Sequence, residues 1–244
     1  MNETEFKQPT KMPAIVKWTG HLALTLLVAL PIAVLTVRAG AWQQGLLLYA
    51  LSCLGSLILL ALFGLLWLLP RYSDWRPAVS KRALFALPGA ALLVTTMLGS
   101  GDYPAIHDIS TDLADPPVFS AAEQQRGPDS NSLETDPETM ALQAEAYPDL
   151  ATIVTARPFD EVFDSAVQVA NDMGWDIYFQ DRNAGIIEAV ATTSLMNFKD
   201  DVTIRLRTNA EGTLVDLRSV SRVGVSDLGA NAERIRAFRQ ALLQ

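Results

Sequence analysis

The sequence predicts an α+β protein in which three transmembrane helices precede a soluble domain built on an antiparallel sheet. Residues 18–99 contain three long uncharged runs, and residues 150–244 alternate between strand-like and helix-like hydrophobic patterns. A polar segment, rich in acidic residues and proline, separates them over residues 100–149. The chain therefore divides into a short N-terminus (1–17), a membrane anchor (18–99), a linker (100–149) and a soluble domain (150–244).

The three apolar runs have the length and composition of membrane-spanning helices. They cover Trp18–Val37, Ala41–Leu69 and Ala83–Gly99. The middle run has no charged side chain, and at about 1.5 Å per residue it is longer than a hydrocarbon core of about 30 Å requires. The third run is near the lower length limit, so a buried soluble helix is the alternative interpretation there. We expect three spans.

Basic residues are distributed unevenly around these runs, and this predicts the orientation of the chain. The N-terminus and the loop before the third run carry seven of them, and the loop between the first two runs carries one. The seven are Lys7, Lys11, Lys17, Arg71, Arg76, Lys81 and Arg82, and the one is Arg38. The positive-inside rule then predicts a cytoplasmic N-terminus and an extracytoplasmic soluble domain. In a bacterium this means the cell inner (plasma) membrane, with the soluble domain in the periplasm.

Small residues in the middle run predict a close helix–helix contact. Ser52 and Ser56 are four residues apart, with Gly55 beside them, and such a pair lets two helices approach each other closely. The contact is either internal packing among the three spans or an interface with a partner membrane protein.

Charge and cysteine content exclude several classes of function. Residues 102–149 carry a net charge of −10, residues 150–244 carry −3, and residues 1–101 carry +5. No segment has the basic excess that nucleic-acid binding needs, so that class is excluded. Cys53 is the single cysteine and lies in the middle apolar run. The soluble domain therefore has no disulfide, no thiol nucleophile and no cysteine metal site.

The segment 100–149 reads as a linker that contains one ordered strip. Its six prolines and its acidic excess argue against a packed core. Residues 104–119 nevertheless mix Ile106 and Ile109 with Asp and Thr, which predicts an extended strip lying on another surface. Thr139–Ala146 is predicted as a short helix.

The soluble domain reads as strand, helix, four strands and helix. The expected strands are Ala151–Thr155, Trp175–Gln180, Ile186–Thr193, Asp201–Thr208 and Thr213–Arg222, and the expected helices run from Pro158 to Gly174 and from Leu228 to Leu242. This order, β-α-β-β-β-β-α, favours about five antiparallel strands with two helices on one face. The short loop after Thr208 predicts a hairpin that pairs Leu206 with Val215 and Arg205 with Asp216.

The corner before the last helix is the densest group of candidate site residues. It contains Arg222, Ser226, Asp227, Asn231 and Arg234. In the structural interpretation Asp227 caps the helix and pairs with an arginine, so its loss costs more stability than the loss of Arg234. In the functional interpretation the helix N–H groups and the two arginines bind an anion, a lipid headgroup or a partner.

Catalytic and metal-binding patterns are absent from the sequence. A polar strip holds His107, Asp108 and Asp112, but it lacks the second nitrogen ligand that a transition-metal site normally has. No base is positioned beside a nucleophile. We therefore expect no enzymatic activity, no metal and no cofactor.

Four segments of the chain resemble one known family. "IHDISTD", "DPPVF", "DDVTIRL" and "SRVGVSDLGANAERI" look like the domain of unknown function 1499 family in its membrane-anchored form, and the last segment is the most specific. The resemblance covers about Pro104–Phe119 and Ala151–Leu242, and the stretch after Phe119 is unusually long and acidic. It implies a small α+β domain and no established activity.

Two functions fit these observations. The first is a non-enzymatic accessory protein, a subunit that docks on a larger membrane complex through its helices and its outer domain. Its partners are the bilayer and another integral membrane protein. The second is a domain that binds a lipid or another amphiphile in a cavity between sheet and helices, lined by Trp175, Phe179, Ile204 and Phe238.

Overall fold

The chain forms two compact units, Met1–Gly99 and Ser100–Gln244. The computed structural model describes residues 11–99, 101, 103–210 and 212–244. The first unit holds the apolar runs, and the second holds both the predicted linker and the predicted soluble domain. The predicted fold class, three apolar N-terminal helices with an antiparallel α+β domain, is confirmed.

The first unit consists of three long helices. They are α1 (Ala14–Arg38), α2 (Trp42–Leu68) and α3 (Arg76–Gly99), with a 3-10 turn over Pro70–Trp75. Within the described residues, three stretches are long and apolar enough to cross a membrane, and all three helices expose large apolar side chains. The third helix starts before the predicted apolar run because the basic residues ahead of that run continue the helix.

Small residues bring α2 and α3 together. Ser52 and Ser56 are buried, and Gly89 of α3 lies so close that a Cβ at this position would overlap the Ser56 side chain. The small-residue pair of α2 is therefore used for packing inside the unit, which is the first of its two interpretations.

Replacing Gly89 with Ala should destabilise the helical unit, because the added methyl group meets Ser56 in a packed contact. Overpacking of this kind typically costs about 1–3 kcal/mol. The matched control is Gly64→Ala in α2, where nothing lies within 4 Å of the added Cβ. There Ala should be neutral or stabilising by about 0.5–1 kcal/mol. Thermal melts of both full-length variants in detergent make the comparison, and equal melting of Gly89→Ala and the parent protein would contradict the packing.

The second unit is an antiparallel sheet with α-helices packed on one face. Its strands are β1 (Asp108–Ser110), β2 (Ile153–Thr155), β3 (Asp176–Asp181), β4 (Ile186–Thr192), β5 (Lys199–Asn209) and β6 (Gly212–Ser221). Its helices are α4 (Pro137–Ala146), α5 (Phe159–Asp172) and α6 (Ala230–Leu242). The strand order is β1-β6-β5-β4-β3, and β2 also pairs with β6. The described part of the chain thus has six strands, because the predicted strip contributes β1.

The β5–β6 hairpin has the predicted register. Leu206 lies opposite Val215, and Arg205 lies opposite Asp216. Because side chains alternate along a strand, this register sends the apolar residues of both strands to one face and their charged residues to the other. On the other edge of β6, strands β1 and β2 lie end to end.

The hydrophobic core fills the space between the sheet and helices α5 and α6. Phe163 and Phe238 are buried there, and Trp175 stacks on Phe238 with 5.5 Å between the ring centroids. Ile106 and Ile109 join the same core. The segment that its composition predicts as a linker is therefore part of the folded unit.

An irregular segment covers the opposite face of the sheet. We call residues 111–135 the strap. Its backbone N–H groups at Ser120 and Ala121 donate to the Glu188 carboxylate of β4, and beneath it Thr203 and Asp216 are fully buried. The alternating sequence of β5 predicts one polar face of the sheet. In the structure the strap covers that face, so polar and charged side chains form a second layer there.

Candidate functional site

The two arginines of the predicted corner site lie on opposite faces of the sheet. Arg222 lies under the strap and donates to both oxygens of Asp201, at 3.0 and 2.7 Å. Arg234 of α6 lies on the core face, 2.5 Å from the Asp200 carboxylate. Because consecutive strand residues point to opposite faces, these two aspartates hold the arginines apart. The structure does not bring the two cations together on one anion.

The other corner residues fix the start of α6. Asp227 accepts hydrogen bonds from the backbone N–H groups of Gly229 and Asn231, at 2.8 and 2.7 Å, and so satisfies donors that the helix leaves unpaired. Ser226 Oγ accepts from the backbone N–H of Leu228 at 3.2 Å. Burial raises the pKa of Asp227, and the two backbone hydrogen bonds offset only part of that rise.

Asn231 joins three parts of the domain at one point. Its fully buried amide donates to the His107 carbonyl and to Ser221 Oγ, each at 3.0 Å, and its oxygen accepts from Ser219 Oγ at 2.7 Å. The strip, β6 and α6 are cross-linked here. A buried amide with both ends satisfied is typical of a structural role.

The carboxylates of the polar strip bind different arginines. Asp108 receives two hydrogen bonds from Arg218, at 2.9 and 2.6 Å, while Asp112 lies 3.1 Å from both Arg205 and Arg207. Burial acts to raise the pKa of Asp112, but hydrogen bonds from the backbone and from Arg207 outweigh it and lower that pKa. Among the residues that the structure describes, no group of three or more His, Cys, Asp or Glu side chains is arranged to hold a metal ion.

Asp216 is the centre of an ion cluster under the strap. Its side chain is fully buried, and Oδ2 lies 2.7 Å from Arg207 and 3.1 Å from Arg205. Its Oδ1 accepts hydrogen bonds from the hydroxyls of Thr152 at 2.6 Å and Thr111 at 3.4 Å. The predicted cross-strand pair of Arg205 and Asp216 is therefore present, and it belongs to a larger cluster that is buried at Asp216 and partly exposed at Arg207.

A cleft of about 980 Å³ opens between the strap and β6. It is lined by Val118, Phe119, Glu123, Arg126, Gly127, Pro128, Ser130, Asn131, Ser132, Leu133, Glu134, Thr135 and Arg218. The two glutamates are exposed, whereas the two arginines have side chains that are only 5 % and 2 % exposed.

Both buried arginines of the cleft already have anionic partners. Arg218 binds Asp108 and also donates to the carbonyls of Pro117 and Leu133, at 3.4 and 2.8 Å. Arg126 lies 3.4 Å from the Asp201 carboxylate. Burial lowers the pKa of Arg126, and Asp201 opposes that shift. The exposed charges of the cleft lining are those of Glu123 and Glu134, which are negative.

The side chains expected to line an apolar cavity pack against other side chains. Trp175, Ile204 and Phe238 belong to the hydrophobic core, and Phe179 is half-buried. Trp175 and Phe238 stack on each other, so the two rings are in contact where the cavity was expected.

A family comparison covers the sheet, the strap and the cleft together. The family model described as "Protein of unknown function (DUF1499)" matches residues 108–242, more than half of the chain. The chain belongs to the DUF1499 family. The matched region starts in β1 and ends in α6, so the acidic segment is part of the DUF1499 domain. A search among curated proteins finds no match.

Sequence reasoning missed the main polar residues of the DUF1499 domain. These are Arg126 of the strap and, beneath the strap, Glu188, Asp201 and Arg218. A signal was available, because Asp201, Arg205 and Arg207 of β5 share one face, as do Asp216 and Arg218 of β6, while the preceding segment carries a large acidic excess. The opposite charges of the acidic segment and of β5 and β6 predict a contact only if the acidic segment is known to lie on the charged face of the sheet.

Replacing Arg234 with Met should destabilise the DUF1499 domain more than replacing Asp227 with Ala, the reverse of the order expected from sequence. Loss of Arg234 leaves Asp200, 5 % exposed, as a buried carboxylate without its partner, which typically costs about 3–5 kcal/mol. Loss of Asp227 removes a helix cap, worth about 1 kcal/mol.

Thermal melts of the full-length variants in detergent test this order. The control is Arg182→Met, which removes an exposed arginine paired with Asp160 and Asp164 and should melt like the parent protein. An Asp227→Ala variant that melts at or below the temperature of Arg234→Met would contradict the assignment of Asp200 as the partner.

Proposed function

We propose that this DUF1499 protein is a non-enzymatic, membrane-anchored accessory protein whose sheet domain binds a partner protein in the cleft under the strap. The observation that carries the proposal is the cleft itself. It is large, its buried arginines are already paired, and its lining mixes polar, apolar and acidic groups. The buried arginines are held by aspartates and the glutamates of the lining are exposed, which supports a binding role over acid–base catalysis.

The chemistry of the cleft favours a basic partner segment that also carries an apolar side chain. Glu123 and Glu134 present exposed carboxylates, and charge complementarity of this kind steers association and selects partners. Val118 is 71 % exposed at the same place, and Phe119 lies beside it in the lining. We propose that the partner is another integral membrane protein, because the three helices confine the domain to the membrane surface.

Reversing the acidic charges of the cleft should abolish partner capture. The full-length chain with a photo-crosslinking residue at Val118 is expressed in its native membranes, with and without Glu123→Lys and Glu134→Lys. Asp172→Lys with Asp176→Lys changes the charge equally at two other exposed positions and serves as the control. We expect a crosslinked product in the parent protein and in the control, and its loss in the cleft variant.

Equal crosslinking in the cleft variant would reject the cleft as the docking surface. Gentle extraction that yields a lone monomer, without any co-purifying protein, would reject the accessory role altogether.

We propose that the protein lies in the inner (plasma) membrane with its N-terminus in the cytoplasm and its DUF1499 domain outside, in the periplasm of a bacterial cell. The three candidate spans and the basic residues that flank them support this orientation, with seven on one side and one on the other.

Reporter fusions after Thr10 and after Gln244 test the orientation. A cytoplasmic reporter should be active at the first position and an extracytoplasmic reporter at the second. Reporters that place both ends in the same compartment would mean that one of the three helices does not span the membrane.

A further inference from the structure

One loop of the sheet domain holds two large apolar side chains in solvent. Between β6 and α6, Val225 is 78 % exposed and Leu228 is 62 % exposed. They are three residues apart and flank Asp227, whose carboxylate is occupied by two backbone N–H groups. The tip of this loop, residues 224–228, therefore presents two apolar side chains, while the one carboxylate between them is hydrogen-bonded to the start of α6.

The backbone holds Leu228 in a conformation that leucine rarely adopts. Its φ is 53°, in the left-handed region where the Cβ crowds the following carbonyl. Hydrogen bonds keep it there, since its N–H donates to Ser226 Oγ at 3.2 Å and the N–H of Asp227 donates to the Ile106 carbonyl at 3.1 Å. A strained residue that is both apolar and exposed gains nothing in folding, so its placement points to a role outside the domain.

The residue that packs beside this loop, Tyr103, is close in sequence to the last candidate span. Tyr103 lies against Gly229 so closely that a Cβ at Gly229 would overlap its ring. Tyr103 is only four residues beyond Gly99, where the third candidate span ends, and four residues reach about 14 Å at full extension. The headgroup layer of a bilayer adds roughly 5–8 Å beyond the hydrocarbon core on each side. The ring is 39 % exposed, and tyrosine is typical of that layer.

We infer that the 224–228 loop docks on the bilayer that anchors the chain, with Val225 and Leu228 inserted in the interfacial layer. The occupant of this apolar tip is lipid, because Tyr103 beside the loop is four residues from the last candidate span and the one carboxylate of the tip is turned to the start of α6. The inference holds for either orientation of the protein and does not depend on a partner in the cleft.

Site-directed spin labelling of the full chain tests the inference. The protein is reconstituted in nanodiscs of phosphatidylcholine and phosphatidylglycerol, with Cys53 replaced by Ala, and a nitroxide is attached to Val225→Cys. The matched control is Val154→Cys, which is also an exposed valine, 51 % exposed on β2. It faces Leu214, seven residues along β6 from Ser221 and thus roughly 23 Å from the loop end of that strand.

The ratio of collision with oxygen to collision with a water-soluble nickel complex reports the depth of each label. We expect this ratio to be several-fold higher at position 225 than at position 154. Leu228→Asn should lower the ratio at 225 toward that of the control while the domain melts normally, because Asn tolerates the left-handed conformation. If the variant labelled at 225 does not melt like the parent protein, the same collision ratio is measured with a label at Leu228→Cys.

Equal ratios at 225 and 154 would overturn the inference, and an unchanged ratio at 225 in Leu228→Asn would remove Leu228 from the contact. Since the nanodiscs contain no other protein, a high ratio at 225 cannot come from a protein partner. A high ratio that appears only in native membranes would assign the loop to a protein partner instead of to lipid.

Discussion

Buried charges on one face of the sheet require partners, and the architecture of the domain follows from that requirement. Asp201 and Asp216 are fully buried and Arg218 is 2 % exposed. An isolated ion in such a place costs several kcal/mol. The strap supplies Asp112 to the arginines of β5 and Arg126 to Asp201, and β1 supplies Asp108 to Arg218. The acidic residues of β1 and the strap therefore include counter-ions for the arginines of the sheet.

The same alternation explains why the predicted corner site is divided. Asp200 and Asp201 are neighbours in β5, and each points to a different layer, so each recruits its own arginine from a different element. The core layer receives Arg234 from α6, and the strap layer receives Arg222 from the end of β6. Two arginines that are close in sequence are thus separated by the thickness of the sheet. The cleft, by contrast, opens where the strap stands away from β6.

Local patterns in the sequence predict the parts of this fold that depend on neighbouring residues. The three apolar helices follow from uncharged length, and the β5–β6 register follows from the short loop between the strands. The contact of Arg218 with Asp108 joins residues 110 positions apart, and no local pattern encodes it. The composition of the strap alone is typical of a linker, because it is rich in proline and acidic residues. The arginines that neutralise the acidic residues lie in β5, far away in the sequence. For the same reason Ser52 and Ser56 predict a close contact without indicating that Gly89 is the residue opposite.

The pairing of β1 with β6 has a consequence for the synthesis of the protein. β1 is made shortly after the last candidate membrane helix, but its partner strand β6 follows about 100 residues later. At about 5–20 residues per second, the ribosome needs roughly 5–20 s to add the residues between Asp108 and Arg218. During that interval Asp108 has no Arg218 to pair with, so its carboxylate stays hydrated. The pairing of β1 with β6 is thus a contact of high sequence separation, and contacts of this kind slow folding.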